Sequence, residues 1–486
     1  MSLRGSLLLG AVMLAIGAAP AHADQPARVT IAPAPSAQDP IWSDPAPPGT
    51  PLADRLAVRG YLREETFVSG QSAGWRAGPD GAERTSPSIL PYTTRLVVIR
   101  PISPERFSGR VHLVPIHPSA GDTPWDWVSE HVLANGDAFV AVMIGGDAPS
   151  RALAASGRQA AAPLILKAFN PARYARVDWP DDDSARWEAF GQTAIALRAD
   201  DAILGARAKR IYASGWSFTG SFLRTFINEG FHDLTRLKDG TAAIDGYLIG
   251  ISAGGFIAGY VPLDSLSPVR PVDDPRRALR AIDAPVVELM SQNEALTNTG
   301  PQPRDSGAVK GGRRLYELGG LTHGDGLRST AAPQGACPFP ASDVSMSHYA
   351  RATLARIEAW VERGVSPPAS LRIARGPDGN FPHDENGNVS GGLRPVELDV
   401  PLASYAEATD RPECAPRAGP SGAYLAIRRI PLSKEALTRL YPGGAADYLA
   451  KARQAVAHRQ ETGWLSPSDA GEELSKSAAA ATAAFR

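Results

Sequence analysis

The sequence feature that most limits the possible folds is a serine among small residues, placed between an apolar and an amphipathic segment. Residues 213–220 read Ala-Ser-Gly-Trp-Ser-Phe-Thr-Gly, after the strand candidate Arg210–Tyr212 and before the amphipathic run Ser221–Glu229. A strand, a tight turn and a helix in this order expose a serine hydroxyl at the turn, and small neighbours such as Gly215 let the turn crowd its own backbone. The pattern predicts a nucleophile elbow with Ser217 as the nucleophile.

Ser252 is a competing candidate for the nucleophile. Residues 250–254 match the Gly-x-Ser-x-Gly pattern letter for letter, whereas Thr219 replaces the last glycine of that pattern around Ser217. Glycines and prolines, among them Pro262, follow Ser252 closely, so the helix that an elbow needs is not expected there. Three further strand candidates follow Ser217 and only two follow Ser252, which favours Ser217. These three are Ile244–Ile251, Pro285–Met290 and Arg313–Leu318.

The N-terminal residues have the pattern of an export signal. Met1–Ala23 contains Arg4, the apolar run Leu7–Ile16 and a small-x-small sequence that ends at Ala23. These are the three parts of a secretory signal peptide, cleaved here after Ala23. The apolar run is also shorter than the ~20 residues that span a bilayer. We therefore expect a secreted or periplasmic protein without a membrane span.

Charge and cysteine content narrow the classes of function. The chain has 50 Lys and Arg against 51 Asp and Glu, and loss of Arg4 with the signal peptide leaves 49 against 51. A net charge so close to zero gives no reason to expect nucleic-acid binding. The two cysteines, Cys337 and Cys414, both lie in the exported part, where oxidising conditions favour a disulfide between them. Two separate buried thiols are the alternative.

The apolar runs predict an α/β fold with irregular ends. Residues 24–51 are rich in Pro and Ala and are expected to form a leader without regular structure. Residues 52–369 are expected to hold a mostly parallel central sheet covered by helices on both faces. A possible lid insertion lies at 145–183, and a C-terminal extension at 370–486 is expected to pack on the core.

Several individual elements can be predicted outside the elbow. The strand candidates before it are Leu56–Leu62, Thr94–Arg100, Arg110–Ile116 and Ala138–Ile144, and the last three are near-continuous apolar runs. The helix candidates are Trp187–Ala206, His348–Gly364, Lys434–Leu440 and Ala445–Thr462. Val396–Leu402 is expected to be extended.

Two acidic segments resemble metal sites only superficially. The triplet Asp181–Asp183 precedes a helix candidate, and carboxylates interact favourably with the positive N-terminal end of a helix. Residues 384–388 read Asp-Glu-Asn-Gly-Asn, but the glycine lies in the wrong place for an EF-hand and an Asn-Gly turn explains them better. No metal and no cofactor are predicted.

A serine nucleophile needs a histidine that takes its proton and a carboxylate that orients the histidine, in the order serine, acid, histidine in α/β-hydrolases. His323 lies in a Gly-rich loop just past Arg313–Leu318, from which it can reach the elbow. Glu294 lies just past Pro285–Met290, where the acid is expected. Asp305 and Asp325 are alternatives for the acid.

The remaining histidines have less support. His348, at the start of a helix candidate, is the second choice for the catalytic histidine. The others have no supporting context and are expected to be surface or packing residues. They are His112, His131, His232, His383 and His458.

An oxyanion hole requires two backbone donors. The first is expected to be the N–H of Phe218, directly after the nucleophile. The second is expected to be an amide of the loop after Arg110–Ile116, either Ser119, Ala120 or another nearby residue, since Pro118 has no N–H. The substrate-binding candidates are His117, Trp125 and Trp216. Trp125 and its neighbour Trp127 are equally well explained as core residues.

Several segments carry a family resemblance. Residues 215–220 resemble the Gly-Trp-Ser-Gln-Ser/Thr-Gly elbow of a bacterial group known as the alpha/beta hydrolase domain family. Further likenesses are the Pro-x-Arg-Tyr sequence at 171–174, the strand and His-x-Asp segment at 316–325, the Trp-x-x-x-Gly-x-x-Pro-Pro sequence at 360–368 and the Gly-Gly-x-Arg segment from residue 391. The resemblance covers most of residues 55–465. It implies an α/β-hydrolase core with Ser217 and His323 in a triad, and Phe218 departs from it by replacing the family's Gln.

Two classes of function remain open from the sequence. The favoured class is an exported serine hydrolase that acts on a small carboxylic ester through an acyl-enzyme, with Ser217, His323 and Glu294 as the triad. The alternative is a non-catalytic binding or scaffold protein on the same fold, which a buried or misdirected Ser217 would favour. Among enzymes, a serine peptidase or amidase is also open because the sequence does not separate leaving groups.

Overall fold

A central sheet of nine strands is the main feature of the described part of the chain. The computed structural model describes residues 29–33, 52–79, 81–117, 124–145, 162–254, 259–264, 266–298, 304–324, 337–407, 414, 418–419, 422–423 and 427–486. The strands are β1 Thr30–Pro33, β2 Tyr61–Ala77, β3 Ala82–Pro101, β4 Arg110–Ile116, β5 Ala138–Met143, β6 Arg210–Trp216, β7 Gly246–Gly250, β8 Val286–Ser291 and β9 Arg313–Leu318. Their spatial order is β1-β2-β3-β5-β4-β6-β7-β8-β9. The strands β4 to β9 run parallel to one another. Strands β1, β2 and β3 extend the sheet with antiparallel pairing.

Helices cover both faces of this sheet. Within the described residues they are α1 Leu52–Val58, α2 Trp125–Asn135, α3 Ala162–Phe169, α4 Ala185–Ala199, α5 Phe218–Asn228, α6 Phe231–Leu234, α7 Gln292–Thr297, α8 Met346–Arg363, α9 Val396–Asp399, α10 Lys434–Leu440, α11 Ala445–Glu461 and α12 Pro467–Ala484. On β5, Phe139 packs in a core with residues of α2 and α8, whereas its neighbour Val140 packs in a core with residues of α4 and α5. Because successive side chains of a strand point to opposite faces, the continuous apolar run of β5 serves two cores.

The predicted α/β architecture is confirmed, and the parallel strands lie close to their expected bounds. Strands β4 and β9 and helix α10 have the predicted limits, and β5, β7 and β8 differ by two residues or fewer at each end. Helix α8 ends at Gly364, whose positive φ of 69° allows a left-handed cap that most residues resist.

Three of the predicted elements were wrong in detail. Residues 56–58 belong to helix α1 and the strand begins only at Tyr61, so Leu56–Leu62 is not one strand. Residues 396–399 form helix α9 rather than extended chain, because Pro395 precedes them and its fixed φ suits a helix start. The helix expected at Trp187–Ala206 ends at Ala199, where Asp200 adopts an extended conformation.

The edges of the predicted core hold more structure than the sequence indicated, although the strand expected at Thr94–Arg100 lies within β3. Inside the leader, β1 pairs with residues 66–69 of β2. Strands β2 and β3 form a long antiparallel hairpin whose pairing runs from Tyr61–Pro101 to Ala77–Ala82. The predicted signal peptide at 1–23 and residues 146–161 of the predicted lid insertion lie outside the described residues.

The described remainder of the predicted lid insertion is attached to the sheet. Arg173 Nε donates to a carboxylate oxygen of Glu65 on β2 at 2.6 Å, and Tyr174 Oη donates to the other at 2.9 Å. Arg95 of β3 also contacts Glu65, at 2.5 Å. All four side chains are buried. The Pro-x-Arg-Tyr segment therefore anchors the chain between α3 and α4 on the hairpin.

Residues 370–486 pack on the α/β core through apolar and polar contacts. The ring of Trp464 meets that of Tyr316 on β9 edge to face, with centroids 4.9 Å apart. Backbone bridges from Leu371 and Leu393 add to the outer edge of β9. Cys337 and Cys414 form the expected disulfide, beside Phe339 and Ile430. Among the described residues, the helices are all too short or too polar to cross a membrane.

Candidate active site

Ser217 lies at the turn between β6 and α5, in a backbone conformation that side chains rarely adopt. Its φ is 54° and its ψ is −120°, and its N–H donates to the carbonyl of Gly250 on β7 at 3.0 Å. A β-carbon at Gly215 would lie 2.3 Å from the carbonyl oxygen of Thr219, so the tight turn excludes any larger residue there. The strand, turn and helix around Ser217 have the form that the sequence predicted.

Thr219 holds the turn together with its hydroxyl. Its Oγ1 accepts from the backbone N–H of Trp216 at 2.8 Å and donates to the carbonyl of the same residue at 2.9 Å. A glycine at this position would lack both hydrogen bonds. The threonine that weakens the sequence pattern is therefore a structural part of the elbow.

Ser217, His323 and Glu294 form a continuous hydrogen-bonded chain. The Nε2 atom of His323 lies 2.8 Å from Ser217 Oγ, and its Nδ1 lies 2.6 Å from Glu294 Oε1. Both imidazole nitrogens are therefore engaged, one with the hydroxyl and one with the carboxylate. This is the geometry in which a histidine accepts the serine proton while a carboxylate fixes the tautomer.

Glu294 is held in place by the start of helix α7. Ser291 caps this helix, since its Oγ accepts from the N–H of Asn293 at 3.1 Å and of Glu294 at 3.3 Å. Oγ also donates to Glu294 Oε2, and the side-chain amide of Asn293 donates to Oε1 at 2.9 Å. The sequence contained a signal for these supporting residues, because Ser-x-x-Glu at 291–294 is the capping-box pattern.

The charges of the pair shift both pKa values in the direction that favours an ion pair. Burial by itself would raise the pKa of Glu294, but the attraction and hydrogen bond of His323 outweigh it and the pKa is lowered. Burial would lower the pKa of His323, but Glu294 outweighs burial and the pKa is raised. The side chain of Glu294 is 6% exposed and that of His323 is 25% exposed, so the histidine faces solvent.

The competing candidates have other partners. Ser252 is buried, its Oγ lies 2.8 Å from Ser221 Oγ, and its β-carbon packs where a side chain at Gly220 would be. Asp305 accepts from the backbone N–H of Ser370. Asp325 lies outside the described residues.

The expected histidine alternatives lie elsewhere in the fold. His348 Nε2 is 2.9 Å from Glu472 of α12, whereas His323 is the histidine that contacts Ser217. His112, His131 and His232 are interior residues, whereas His383 and His458 are exposed.

The oxyanion and substrate candidates are only partly described. Phe218 is the first residue of α5, and the first N–H groups of a helix have no partner within it. The ring of His117 lies against that of Phe218, with centroids 5.4 Å apart, so His117 borders the elbow. Ser119 lies outside the described residues.

The tryptophan candidates occupy different environments. Trp216, directly before the nucleophile, meets Trp127 edge to face at 5.0 Å between ring centroids. Trp125 is buried against Phe139 on β5. Trp127 therefore contacts the elbow through Trp216, and a substrate-binding role for Trp125 and Trp216 stays a prediction.

The fold and the elbow define an α/β hydrolase. A family described as alpha/beta hydrolase domain matches residues 29–475, and the chain belongs to this family. No curated protein matches the sequence.

Solved structures with a similar chain course include esterases. One from an Arctic intertidal metagenomic library is 12% identical over 57% of this chain and 89% of its own, with a TM-score of 0.23. One from Pyrobaculum calidifontis is 12% identical over 55% and 78%, with a TM-score of 0.28. One from Pyrococcus furiosus is 10% identical over 57% and 87%, with a TM-score of 0.26. Similarities this distant carry no argument about activity.

Proposed function

We propose that this protein is a serine hydrolase that cleaves carboxylic esters through an acyl-enzyme intermediate. The observation that carries the proposal is the hydrogen-bonded chain from Ser217 Oγ through both nitrogens of His323 to Glu294. It occurs at a strand-to-helix turn with Ser217 at positive φ, which is how an α/β hydrolase presents its nucleophile.

The proposed reaction follows from this geometry. Ser217 Oγ attacks the ester carbonyl carbon while His323 Nε2 takes the hydroxyl proton, and Glu294 stabilises the imidazolium that forms. The N–H of Phe218 is one donor to the oxyanion. Collapse of the tetrahedral intermediate breaks the bond to the alcohol, which receives the proton from His323. Water then attacks the acyl group on Ser217 with His323 as base, releasing the carboxylic acid.

The position of Ser217 also bears on the non-catalytic alternative. A scaffold protein has no requirement to keep a serine hydroxyl within 2.8 Å of an imidazole that is itself paired with a carboxylate. Ser217 is partly exposed, whereas the scaffold alternative is favoured by a buried serine. These features support an enzyme.

Export is part of the proposal. The residue pattern of 1–23 supports a signal peptide, and the Cys337–Cys414 disulfide supports an oxidising compartment. N-terminal sequencing of the protein recovered outside the cytoplasm tests it, with a mature chain beginning at Asp24 as the expected result.

Labelling with a fluorophosphonate probe tests the activated serine. We expect the modified peptide, identified by mass spectrometry, to carry the label on Ser217, and expect Ser217→Ala to abolish labelling while Ser252→Ala retains it. A parallel screen of p-nitrophenyl esters and p-nitroanilides separates ester from amide hydrolysis. Absence of labelling in folded protein contradicts the enzyme proposal, and faster anilide cleavage contradicts the ester assignment.

A further inference from the structure

A second cluster of reactive side chains lies in the interior, between the sheet and the two helices α2 and α8. His112 is on β4, His131 on α2, Glu358 on α8, and Asp137 lies just before β5. Their side chains are 0%, 8%, 9% and 0% exposed. His112 pairs with Tyr212 on the neighbouring strand β6. Tyr212 is five residues before Ser217, which corresponds to ~16 Å along the strand. The cluster is therefore separate from the elbow.

One ligand atom of each residue points to a common centre. The Nε2 atom of His112 is 2.9 Å from Asp137 Oδ2 and 3.7 Å from Glu358 Oε1. That of His131 is 2.6 Å from Glu358 Oε1 and 4.0 Å from Asp137 Oδ2. All four atoms lie within 4.8 Å of one another. Each imidazole thus lies within 4.0 Å of both carboxylates. Two separate histidine–carboxylate hydrogen bonds would not need this second approach.

These separations match the size of a tetrahedral zinc site. Ligand bonds of 2.0–2.1 Å place the ligand atoms of a tetrahedron about 3.3–3.4 Å apart. The four distances between imidazole nitrogens and carboxylate oxygens run from 2.6 to 4.0 Å and therefore bracket the separation of ligand atoms in such a tetrahedron. Two imidazole nitrogens and two carboxylate oxygens are ligands that Zn²⁺ accepts, and four protein ligands leave no open position, as in structural sites.

The local charge also favours a divalent cation. Three carboxylates, those of Asp137, Glu358 and Glu362, share the guanidinium of Arg110, which pairs with Glu362 at 2.6 Å and lies 3.7 Å from Asp137. With neutral imidazoles this group has a formal charge of minus two in the interior, which is costly unless compensated. A divalent cation neutralises it.

Neighbouring groups hold the ligands in place. The second carboxylate oxygen of Asp137 accepts from Ser108 Oγ at 2.7 Å, which leaves Oδ2 directed at the centre. Tyr61 Oη donates to the carbonyl of Asp137 at 3.1 Å. Hydrogen-bonded ligands of this kind orient metal sites.

We propose that His112, His131, Asp137 and Glu358 bind one structural Zn²⁺ that fastens helices α2 and α8 to the central sheet. The site could not be predicted from the sequence because its ligands come from four separate segments, without the short ligand spacings of known zinc motifs. The site is independent of the proposed esterase activity, since it is formed by residues outside the Ser217 triad.

Metal analysis of the full chain tests the proposal. We expect about one Zn²⁺ per chain after incubation with Zn²⁺ and dialysis, and a Tm that falls by several degrees on chelation and recovers when Zn²⁺ is restored. With Co²⁺ as the probe, intense visible absorption bands of tetrahedral coordination are expected. A wild-type chain that retains no Zn²⁺ and whose Tm ignores the chelator contradicts the proposal.

A pair of isosteric variants locates the metal. Glu358→Gln retains an oxygen that accepts from His131 but removes the ligand charge, so we expect it to lose bound Zn²⁺ and the chelator effect on Tm. Glu472→Gln is the matched control, because Glu472 belongs to the other group of close His and acidic residues, with His348 and Asp469. Zn²⁺ retained by Glu358→Gln, or lost only from Glu472→Gln, overturns the assignment. If Glu358→Gln folds poorly, the Co²⁺ spectrum of the wild type still tests whether the metal is bound with tetrahedral coordination.

Discussion

His323 and Glu294 are in contact, with Nδ1 and Oε1 2.6 Å apart, although they are supplied by segments that follow two different strands. Glu294 follows β8 and His323 follows β9, and these strands pair in parallel from Val286–Arg313 to Ser291–Leu318. The carboxyl ends of neighbouring parallel strands meet at one edge of the sheet, which is where ligands bind in open α/β folds. The backbone N–H of Gly320 donates a hydrogen bond to the side-chain oxygen of Gln292 at 2.8 Å, and this bond joins the two segments.

Glu294→Gln is expected to lower kcat/KM for an ester substrate by roughly 10²–10⁴-fold. The amide cannot stabilise the imidazolium and can favour the wrong tautomer of His323, while the side-chain shape is unchanged. Steady-state kinetics with a p-nitrophenyl ester measures the effect. Asp305→Asn is the matched control and should retain wild-type kinetics, because Asp305 accepts a hydrogen bond from the backbone N–H of Ser370. Equal rates for wild type and Glu294→Gln would remove Glu294 from the triad.

The pH profile of kcat/KM should have an ascending limb governed by His323. The base must be neutral to take the serine proton, and Glu294 raises its pKa above 6.5, so activity should rise through a midpoint above pH 6.5. In Glu294→Gln the charge that raises this pKa is absent, and the midpoint should move to lower pH along with the loss of rate. An unchanged midpoint in the variant would show that another group controls the limb.

The elbow and its two partners could be predicted because each depends on local chain order. Ser217 needs a strand and a helix in sequence, and Glu294 and His323 need only to follow successive strands. The residues that hold Glu294 in place were harder to predict, because the role of Ser291 depends on the direction of its hydroxyl in the folded chain. Thr219 looked like a departure from the pattern, and only its two hydrogen bonds to Trp216 explain it.

Most of the N-terminal hairpin and the last helix were missed for physical reasons, although the strand predicted at Thr94–Arg100 lies within β3. Strands β2 and β3 contain Gly70, Gly74 and Pro91, which disfavour a strand locally, and are stabilised by pairing with each other over nearly their full length. Helix α12 is rich in alanine without a strong apolar stripe. Its N-terminal capping box of Ser466 and Asp469 was a usable signal.

Thr219→Val should destabilise the elbow. Valine has nearly the shape of threonine but leaves the buried N–H of Trp216 without its partner, which costs about 1–3 kcal/mol. Urea unfolding measures the loss, and the rate of fluorophosphonate labelling of Ser217 should fall with it. Thr219→Ser keeps the hydroxyl and should largely retain both properties. If valine and serine behave alike, the hydroxyl has no role in the turn.

Removal of the disulfide should lower stability without altering the triad. Cys337 and Cys414 are 77 residues apart, and a loop of that length restrains the unfolded chain strongly. Replacement of both cysteines by serine is expected to lower the free energy of unfolding by about 2–4 kcal/mol. Urea unfolding measures this, and wild type under reducing conditions is the control with the same expected loss. Identical curves for the oxidised and reduced wild type would contradict the prediction.

The contact between α8 and α12 should make stability depend on pH. Burial opposes protonation of His348, but hydrogen bonds to Glu472 and Glu473 outweigh it and raise its pKa to about 9. A pKa raised by folding contributes stability that is fully present below the unfolded value of about 6.5 and is lost as pH rises through 9, on the order of 3 kcal/mol.

His348→Gln isolates this contribution because glutamine keeps polar atoms but cannot be protonated. We expect wild type to exceed the variant in free energy of unfolding at pH 6, and the difference to shrink between pH 6.5 and 9.5, as measured by urea unfolding across this range. His458→Gln is the matched control, since His458 is exposed on α11 and its replacement should leave the pH dependence unchanged. A wild-type advantage that stays constant with pH would show that packing, rather than charge, determines the role of His348 in joining α12 to the core.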